Sequence, residues 1–578
     1  MIKKLAMCIG QYKKASILTP LYVLFEVIME VAIPFLMADL IDKGINAGEM
    51  SVIMKLGIAL IISSLISLLF GILAGHYAAV ASSGFAKNLR QKLYYAVQDF
   101  SFANIDQFST SSLVTRMTTD VTNIQNAYQM IIRVAFRAPF MLIFSLIMTF
   151  SISPKLSLVF LAIIPFLGTG LYLVISKAHP IFERVFKTYD KLNKVVQENL
   201  RGIRVVKSFV REDHEKGKFH TVSKKIFNDF STAEKILAYN GPMMQFSVYT
   251  AILLISWFGA KMIVSDTLTT GQLVSMISYT GQILSSLMML SMVFVMITIS
   301  RASAERVIEV LDEESDLKNG ENPIYDVKNG EIQFKHVNFS YLKDKNKLAL
   351  KDINLTIRSG ETVGIIGGTG SSKTSLVQLI PRLYDVTDGA VLVGGVDVRN
   401  YDLKTLRDEV AVVLQKNILF SGTIKENLRW GNKDATDEEL IRVCKLAQAH
   451  DFITAFPHGY DTYIEQGGTN VSGGQKQRLT IARALLKKPK ILIFDDSTSA
   501  VDTKTDSLIR QAIRDEIPDT TKLIIAQRVS SVMDADKIIV MENGKVDAIG
   551  THEELLENNQ IYQEVYYSQA RREEQHGA

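Results

Sequence analysis

The sequence predicts a multidomain chain: an all-α transmembrane domain of six helices, then an α/β domain that is built round a phosphate-binding loop and carries a helical subdomain. Three observations predict it. Between about Ile17 and Ser300 lie six apolar stretches, each near the ~20 residues that cross a bilayer as a helix. After Ser300 they stop. An apolar run suited to a buried strand (Val363, Ile365, Ile366) then leads into a glycine-rich turn, and Lys373, Thr374 and Ser375 open a helix-like segment. Further on, residues 491–496, ILIFDD, end a short apolar run in two carboxylates. This places acids at the C-terminal edge of a buried strand, the side on which open α/β sheets hold their ligands.

The six stretches lie near residues 17–40, 52–80, 130–152, 156–176, 243–264 and 273–299. Residues 56–75 contain no charge. No soluble core would bury six helices that are apolar all round. An even number of spans puts both termini on one side, and Lys3, Lys4, Lys13 and Lys14 mark that side as cytoplasmic. The outer loops agree, being short and nearly free of cations, with Lys43 in the first and Lys155 in the second. The inner connections, about 80–129 and 177–242, are long and polar, and the second carries Arg201, Arg204, Lys207, Arg211, Lys216 and Lys218. A helix running about 20 residues past the membrane reaches roughly 30 Å, far enough to meet a soluble domain.

Charged residues inside the spans come in pairs. Glu26 and Glu30 are four apart in the first span, and Arg133 and Arg137 repeat that spacing in the third, so each pair shares a helix face. Charge within a bilayer is costly and is kept for a substrate pathway or for helix-to-helix pairing; the sequence leaves both open. The last span carries a stripe of Met288, Met292 and Met296, which suits an adaptable apolar cavity and equally a lipid-facing or core filler.

Composition bounds the rest. A chain of 578 residues exceeds one ordinary core and fits three or four units at most. Its 64 basic and 60 acidic residues give a net charge of +4, with no global excess pointing to nucleic acid. Cys8 and Cys444 are the only cysteines, so neither a disulfide framework nor a zinc site is supported, and reduced thiols facing the cytosol fit. The basic N-terminus, MIKKLAMCIGQYKK, lacks a small-residue cleavage site after a short apolar core and is expected to be retained. The expected division is a transmembrane domain over 1–310, a linker over 311–329 and a nucleotide-binding domain over 330–578.

Gly367, Gly368, Thr369, Gly370, Ser371, Ser372, Lys373 and Thr374 satisfy the phosphate-loop pattern G-x-x-x-x-G-K-[ST], except that Ser372 replaces the second glycine. In such a loop, backbone N–H groups and a helix N-terminus converge on phosphate oxygens, the lysine reaches the outer phosphates and the hydroxyl serves magnesium. A side chain at 372 either clashes where glycine's freedom is used or sits in a conformation that tolerates it.

At this point the residues resemble a family, the ATP-binding-cassette exporters, and in particular half-transporters with six membrane helices fused to one cassette. Residues 471–475, VSGGQ, resemble the family's signature, with Ser472, Gly473, Gly474 and Gln475 facing nucleotide. Gln415 resembles the glutamine that contacts magnesium, Tyr341 the aromatic residue that stacks on adenine, and residues 499–502, SAVD, the loop linking two active sites. Residues 113–121 (LVTRMTTDV) and 201–209 (RGIRVVKSF) resemble the cytoplasmic segments that couple cassette to helices. The resemblance implies ATP and Mg2+, with Ser375 among the nucleotide ligands and Thr374, Gln415 and Asp495 holding the metal.

Two positions depart from the family pattern. The glutamate that normally follows the magnesium aspartate is Asp496, whose carboxylate is withdrawn by about 1.5 Å, and the switch histidine is Gln527, in IIAQR. A misplacement of about 1 Å can cost on the order of a hundredfold in rate. Glutamine can still donate to a terminal phosphate, but it cannot become cationic. With Ser372, these changes predict a site that holds ATP more readily than it cleaves it. The intact VSGGQ then implies one subunit of a heterodimer in a bacterial plasma membrane, with both termini cytoplasmic and a second half-transporter as its partner. The expected substrate is a small lipophilic compound or drug. The rival readings are a peptide or lipid exporter subunit and a non-transporting ATP-binding regulatory subunit. A soluble ATPase acting on nucleic acid fails on the six spans.

Overall fold

The computed structural model describes residues 1–496 and 501–576. The chain divides into two compact units, one of residues 1–98 and 109–313, the other of Asp99–Phe108 and Glu314 onward.

The first unit is helical. Its long elements are α1 (Lys13–Asp39) and α2 (Met50–Gln98) and, beyond the short α3 (Phe102–Gln107) that belongs to the second unit, α4 (Val121–Ile152), α5 (Pro154–Arg201), α6 (Glu212–Leu237), α7 (Asn240–Val264) and α8 (Thr270–Asp312). Among the described residues, six helical stretches are long and apolar enough to cross a membrane. Several outrun their apolar segments on the side expected to be cytoplasmic. At 1.5 Å per residue, the 49 residues of α2 extend about 74 Å, more than twice a hydrocarbon core of about 30 Å.

Charge inside this unit is paired. Arg137 on α4 reaches both acids of α1, bonding Glu26 through one terminal nitrogen and Glu30 at 2.6 Å through the other. Gly71 on α2 leaves room for the Glu26 carboxylate, which a Cβ there would approach to 3.3 Å. The same layer is tied to α8. Pro34 has no N–H to give the carbonyl four residues before it, that of Glu30, and Gln282 donates to this oxygen at 3.3 Å while accepting from Ser145 at 2.9 Å. Of the methionines on α8, Met276 is buried whereas Met288 and Met292 remain exposed.

The second unit is built on a six-stranded sheet in the order β12-β11-β3-β10-β9-β6. Its strands are β3 (Thr362–Ile366), β6 (Val410–Val413), β9 (Ile491–Asp495), β10 (Thr521–Ile525), β11 (Lys537–Glu542) and β12 (Lys545–Gly550). All its pairings are parallel except β11 with β12. A sheet covered on both faces must be apolar on both, and the side chains alternate accordingly. Val363, Ile365, Ile491, Ile493, Leu523 and Ile525 enter one core, shared with an antiparallel sheet of β1 (Ile332–Phe339), β2 (Leu350–Ile357), β4 (Asp388–Val393) and β5 (Val396–Asp397). Ile366, Leu492, Phe494 and Ile524 enter the other, shared with helices between Gln415 and β9. This helical insertion includes α10 (Gly473–Leu486), which follows α9 (Lys373–Gln378) in chain order.

The short helix α3 packs with this unit. Ser101 and Asn104 cap it reciprocally, and the Asn104 amide donates to the Glu314 carbonyl at 3.2 Å. The family resemblance marks 113–121 and 201–209 as coupling segments and does not mark this helix.

Candidate functional site: a phosphate loop and its neighbours

Sheet order decides which residues meet. Strands β3, β10, β9 and β6 are parallel neighbours, with Ile365, Ile525 and Asp495 in register and Val413 beside Phe494. The segments leaving their C-terminal ends therefore emerge side by side: the loop 367–372, then Gln527, Asp496 and Gln415. Residues as far apart in sequence as Gly367 and Gln527 become one site, the arrangement that places ligands at this edge of a parallel sheet.

The loop begins with a position that only glycine fills, because a Cβ on Gly367 would stand 2.2 Å from the Met541 carbonyl oxygen. Across it folds Lys373, whose ammonium donates to the carbonyls of Gly367 (2.8 Å) and Gly368 (2.9 Å) and to the Ser371 hydroxyl (3.2 Å). Burial pushes the Lys373 pKa below its ordinary value, opposed by the charges of Asp496 and Asp495. The Thr374 hydroxyl donates to Asp495 at 2.9 Å. Burial raises the Asp495 pKa; the Thr374 bond opposes this, Asp496 adds to it and Lys373 opposes it. The Thr374 hydroxyl and the Asp495 carboxylate are oxygen donors of the kind that suit a hard divalent cation, whereas the Gln415 amide nitrogen bonds Asp496. Such a metal on a bound nucleotide would neutralise phosphate charge.

Ser372 precedes α9 with φ of +69°, in the left-handed region, and its side chain makes no capping bond. The backbone thus uses at this position the freedom that the family's glycine supplies, and a side chain there carries a strain of roughly 1–2 kcal/mol. Ser372→Gly is expected to raise the cassette's thermal midpoint by about 2–4 °C, read by differential scanning fluorimetry; an unchanged or lower midpoint would refute the strain.

Asp496 also stands at positive φ, +48°. One oxygen of its carboxylate, Oδ2, accepts from two amides, Gln527 at 2.7 Å and Gln415 at 3.2 Å. The two departures from the family pattern therefore meet in one hydrogen-bonded set. Tyr341 is 45 % exposed and its hydroxyl lies 2.7 Å from the Ser375 Oγ, which leaves the ring beside the phosphate-loop helix with surface to offer. Burial raises its pKa, so the hydroxyl remains protonated.

The signature residues stand elsewhere in the unit. Ser472 caps α10, its hydroxyl accepting from the Gln475 N–H at 3.3 Å and its own N–H bonding the Gln475 side chain at 2.9 Å, with Gly473 and Gly474 in the first turn. Among the described residues no hydrogen bond joins them to the phosphate loop. Of the SAVD stretch, Ser499 and Ala500 lie outside the described residues, while Asp502 caps the helix Thr503–Glu516 by accepting from the Thr505 N–H at 2.9 Å. Sequence reasoning missed Tyr384, whose hydroxyl bonds Asp106 on α3 at 2.7 Å; the reciprocal caps of Ser101 and Asn104 were the only signal of that helix.

A helical unit with six apolar crossings and a cassette with this loop define an ATP-driven membrane transporter. Residues 17–301 match the ABC transporter transmembrane region and residues 350–499 the ABC transporter domain. The chain is 37 % identical to the uncharacterized ABC transporter ATP-binding protein YfiB of Bacillus subtilis, covering 95 % of both chains. It is 34 % identical to a putative multidrug export ATP-binding/permease protein of Staphylococcus aureus, over 98 % of this chain and 99 % of that one. Its fold matches the structure of a bacterial Atm1-family ABC exporter with ATP bound, with a TM-score of 0.83 at 23 % identity, covering 97 % of this chain and 99 % of that one. The chain belongs to the ABC transporter family and is an exporter with a transmembrane and an ATP-binding domain.

Proposed function

We propose that this chain is one subunit of a heterodimeric exporter of lipophilic compounds, and that its own phosphate-loop site grips ATP and Mg2+ but cleaves ATP poorly. The observation that carries this reading is the Asp496–Gln527 pair. The carboxylate that would orient an attacking water is one methylene short and is engaged by two amides, and neither amide can carry a positive charge. The rest of the site is read as binding groups. Gly367, Gly368, Thr369, Gly370, Ser371 and Ser372 cradle phosphates, Lys373 neutralises them, Ser375 and Tyr341 bound the nucleotide, and Thr374, Gln415 and Asp495 hold the metal.

The signature supplies the complementary half. Two cassettes of this family meet head to tail, and the well-capped N-terminus of α10 presents backbone N–H groups suited to a phosphate of the partner's nucleotide. The partner's glutamate would then carry turnover at the shared site. The name of the staphylococcal relative supports a multidrug substrate class. The lysines before the first span support both termini on the cytoplasmic side, and the bacterial relatives support a bacterial plasma membrane.

The test is to purify the chain alone and with the protein that co-purifies from its native membrane, and to compare ATP turnover. Little turnover alone and brisk turnover in the complex is the expected result. Vigorous hydrolysis by the isolated chain would overturn the reading. ATP-driven dye uptake into inverted vesicles that needs both subunits would separate export from a purely regulatory role.

A further inference from the structure

The helix Gln560–His576 lays one face on the core of the cassette unit. Asn559 caps it, its side chain accepting from the Tyr562 N–H at 2.8 Å. Tyr562, Val565, Tyr566 and Gln569 then follow at the i, i+3, i+4, i+7 spacing of a single helix face. Tyr562 is fully buried, and Val565 and Tyr566 pack against the core that also takes Val529 and Val532. An apolar side chain would continue this stripe at 569, yet the position holds an amide. Its surroundings account for that. Beyond β10 the chain leaves the sheet, and backbone groups that no strand pairs must find partners elsewhere. The Gln569 amide serves two of them: its nitrogen donates to the Gln527 carbonyl at 2.7 Å, and its oxygen accepts from the N–H of Val529, a residue only 2 % exposed, at 2.9 Å. One side chain thus clamps the backbone on both sides of Arg528. From that backbone the Gln527 amide reaches Asp496 Oδ2 at 2.7 Å. An amide nitrogen carries two hydrogens, and among the described residues this is the one bond the Gln527 side-chain nitrogen makes, so a second N–H is left to offer.

We propose that Gln569 is a positioning residue that aims Gln527 at the terminal phosphate of ATP, and so sets how strongly this site prefers ATP to ADP. The role needs both halves of an amide, a donor for the Gln527 carbonyl and an acceptor for the Val529 N–H, at the end of a side chain of this length. Without the clamp the 527–529 backbone loses both anchors. The side chain it carries is then no longer held at one place beside the phosphate loop, and its free N–H no longer meets the outermost phosphate. ADP has no phosphate there to lose, so its binding is indifferent to where Gln527 points. This role rests on the reading of Gln527 as a group that faces the terminal phosphate.

The experiment uses the full chain in lipid nanodiscs, with affinities for the non-hydrolysable β,γ-imido analogue of ATP and for ADP read by displacement of a fluorescent nucleotide. Gln569→Met keeps the length and helix propensity of the side chain and removes both hydrogen bonds. It is expected to weaken the imido analogue about tenfold, the scale of one hydrogen bond to a charged group, and to leave ADP unchanged. Gln569→Glu keeps the oxygen that accepts from Val529, loses only the donor to Gln527, and shows the same selective loss. Gln527→Ala lowers the preference by a similar factor, and adding Gln569→Met to it costs nothing more, because the effect of residue 569 passes through residue 527. Wild-type preference in either Gln569 variant, equal weakening of both nucleotides, or a further selective loss in the double variant overturns the proposal. If Gln527→Ala leaves the preference intact, the reading of Gln527 as facing the phosphate has itself failed. If Gln527→Ala lowers it while the Gln569 variants do not, only the link has failed.

Discussion

Replacing Asp496 with glutamate and Gln527 with histidine is expected to raise ATP turnover of the chain purified by itself by about a hundredfold, on the scale that misplacement by about 1 Å produces. Glutamate extends the carboxylate by one methylene toward the position from which it can orient water, and histidine offers the phosphate a donor that can also be cationic. The geometry makes the two changes interdependent. In the present chain both Gln527 and Gln415 hold the same oxygen of Asp496, so lengthening the acid alone leaves a competing amide beside it. The single variants should therefore recover less than the double, and the shortfall is the coupling energy of the pair. Single-turnover hydrolysis at saturating Mg-ATP reads the effect without interference from product release. If the double variant turns over no faster than wild type, the reading of Asp496 and Gln527 as the impaired step is wrong.

Ser472→Asp is the second large effect, and it acts on the other side of the shared architecture. Aspartate caps a helix as well as serine does, so α10 and its cassette stay folded. The new carboxylate nevertheless brings negative charge to the helix end that would face a phosphate of the partner's nucleotide. Turnover of the assembled complex should fall by roughly a hundredfold or more, comparable to losing one preorganised donor at a reacting oxyanion. ATP affinity of this chain's own phosphate loop, measured on the isolated chain, should not change. A complex that keeps its full rate would refute the cross-supplied signature.

The physical reason that much of this architecture was legible is that its signals are local. An apolar stretch of bilayer length announces a crossing wherever the rest of the chain goes. A strand covered on both faces shows as an uninterrupted apolar run, as at residues 491–494. The phosphate loop could be read because its turn, lysine and hydroxyl are contiguous. What escaped was non-local. Glu26 and Glu30 could be assigned to one helix face, but their shared partner, Arg137, lies more than a hundred residues on, and the pattern left pathway and pairing equally open. The pairing is a fact of helix packing. The α3 segment escaped for a similar reason, since six residues with a cap carry almost no periodic signal and their place is fixed by Tyr384, over 270 residues later.

By itself the sequence determined the two-part plan, the six crossings, the phosphate loop and the identity of the substituted residues at 372, 496 and 527, because each is a property of short contiguous stretches. The tertiary structure decided where those residues stand and what they meet. The order of the parallel strands brings Gln415, Asp496 and Gln527 onto one carboxylate oxygen, and the backbone at Ser372 adopts the left-handed conformation. Neither follows from residue type, since strand order and backbone torsion are fixed only once distant segments pack against one another.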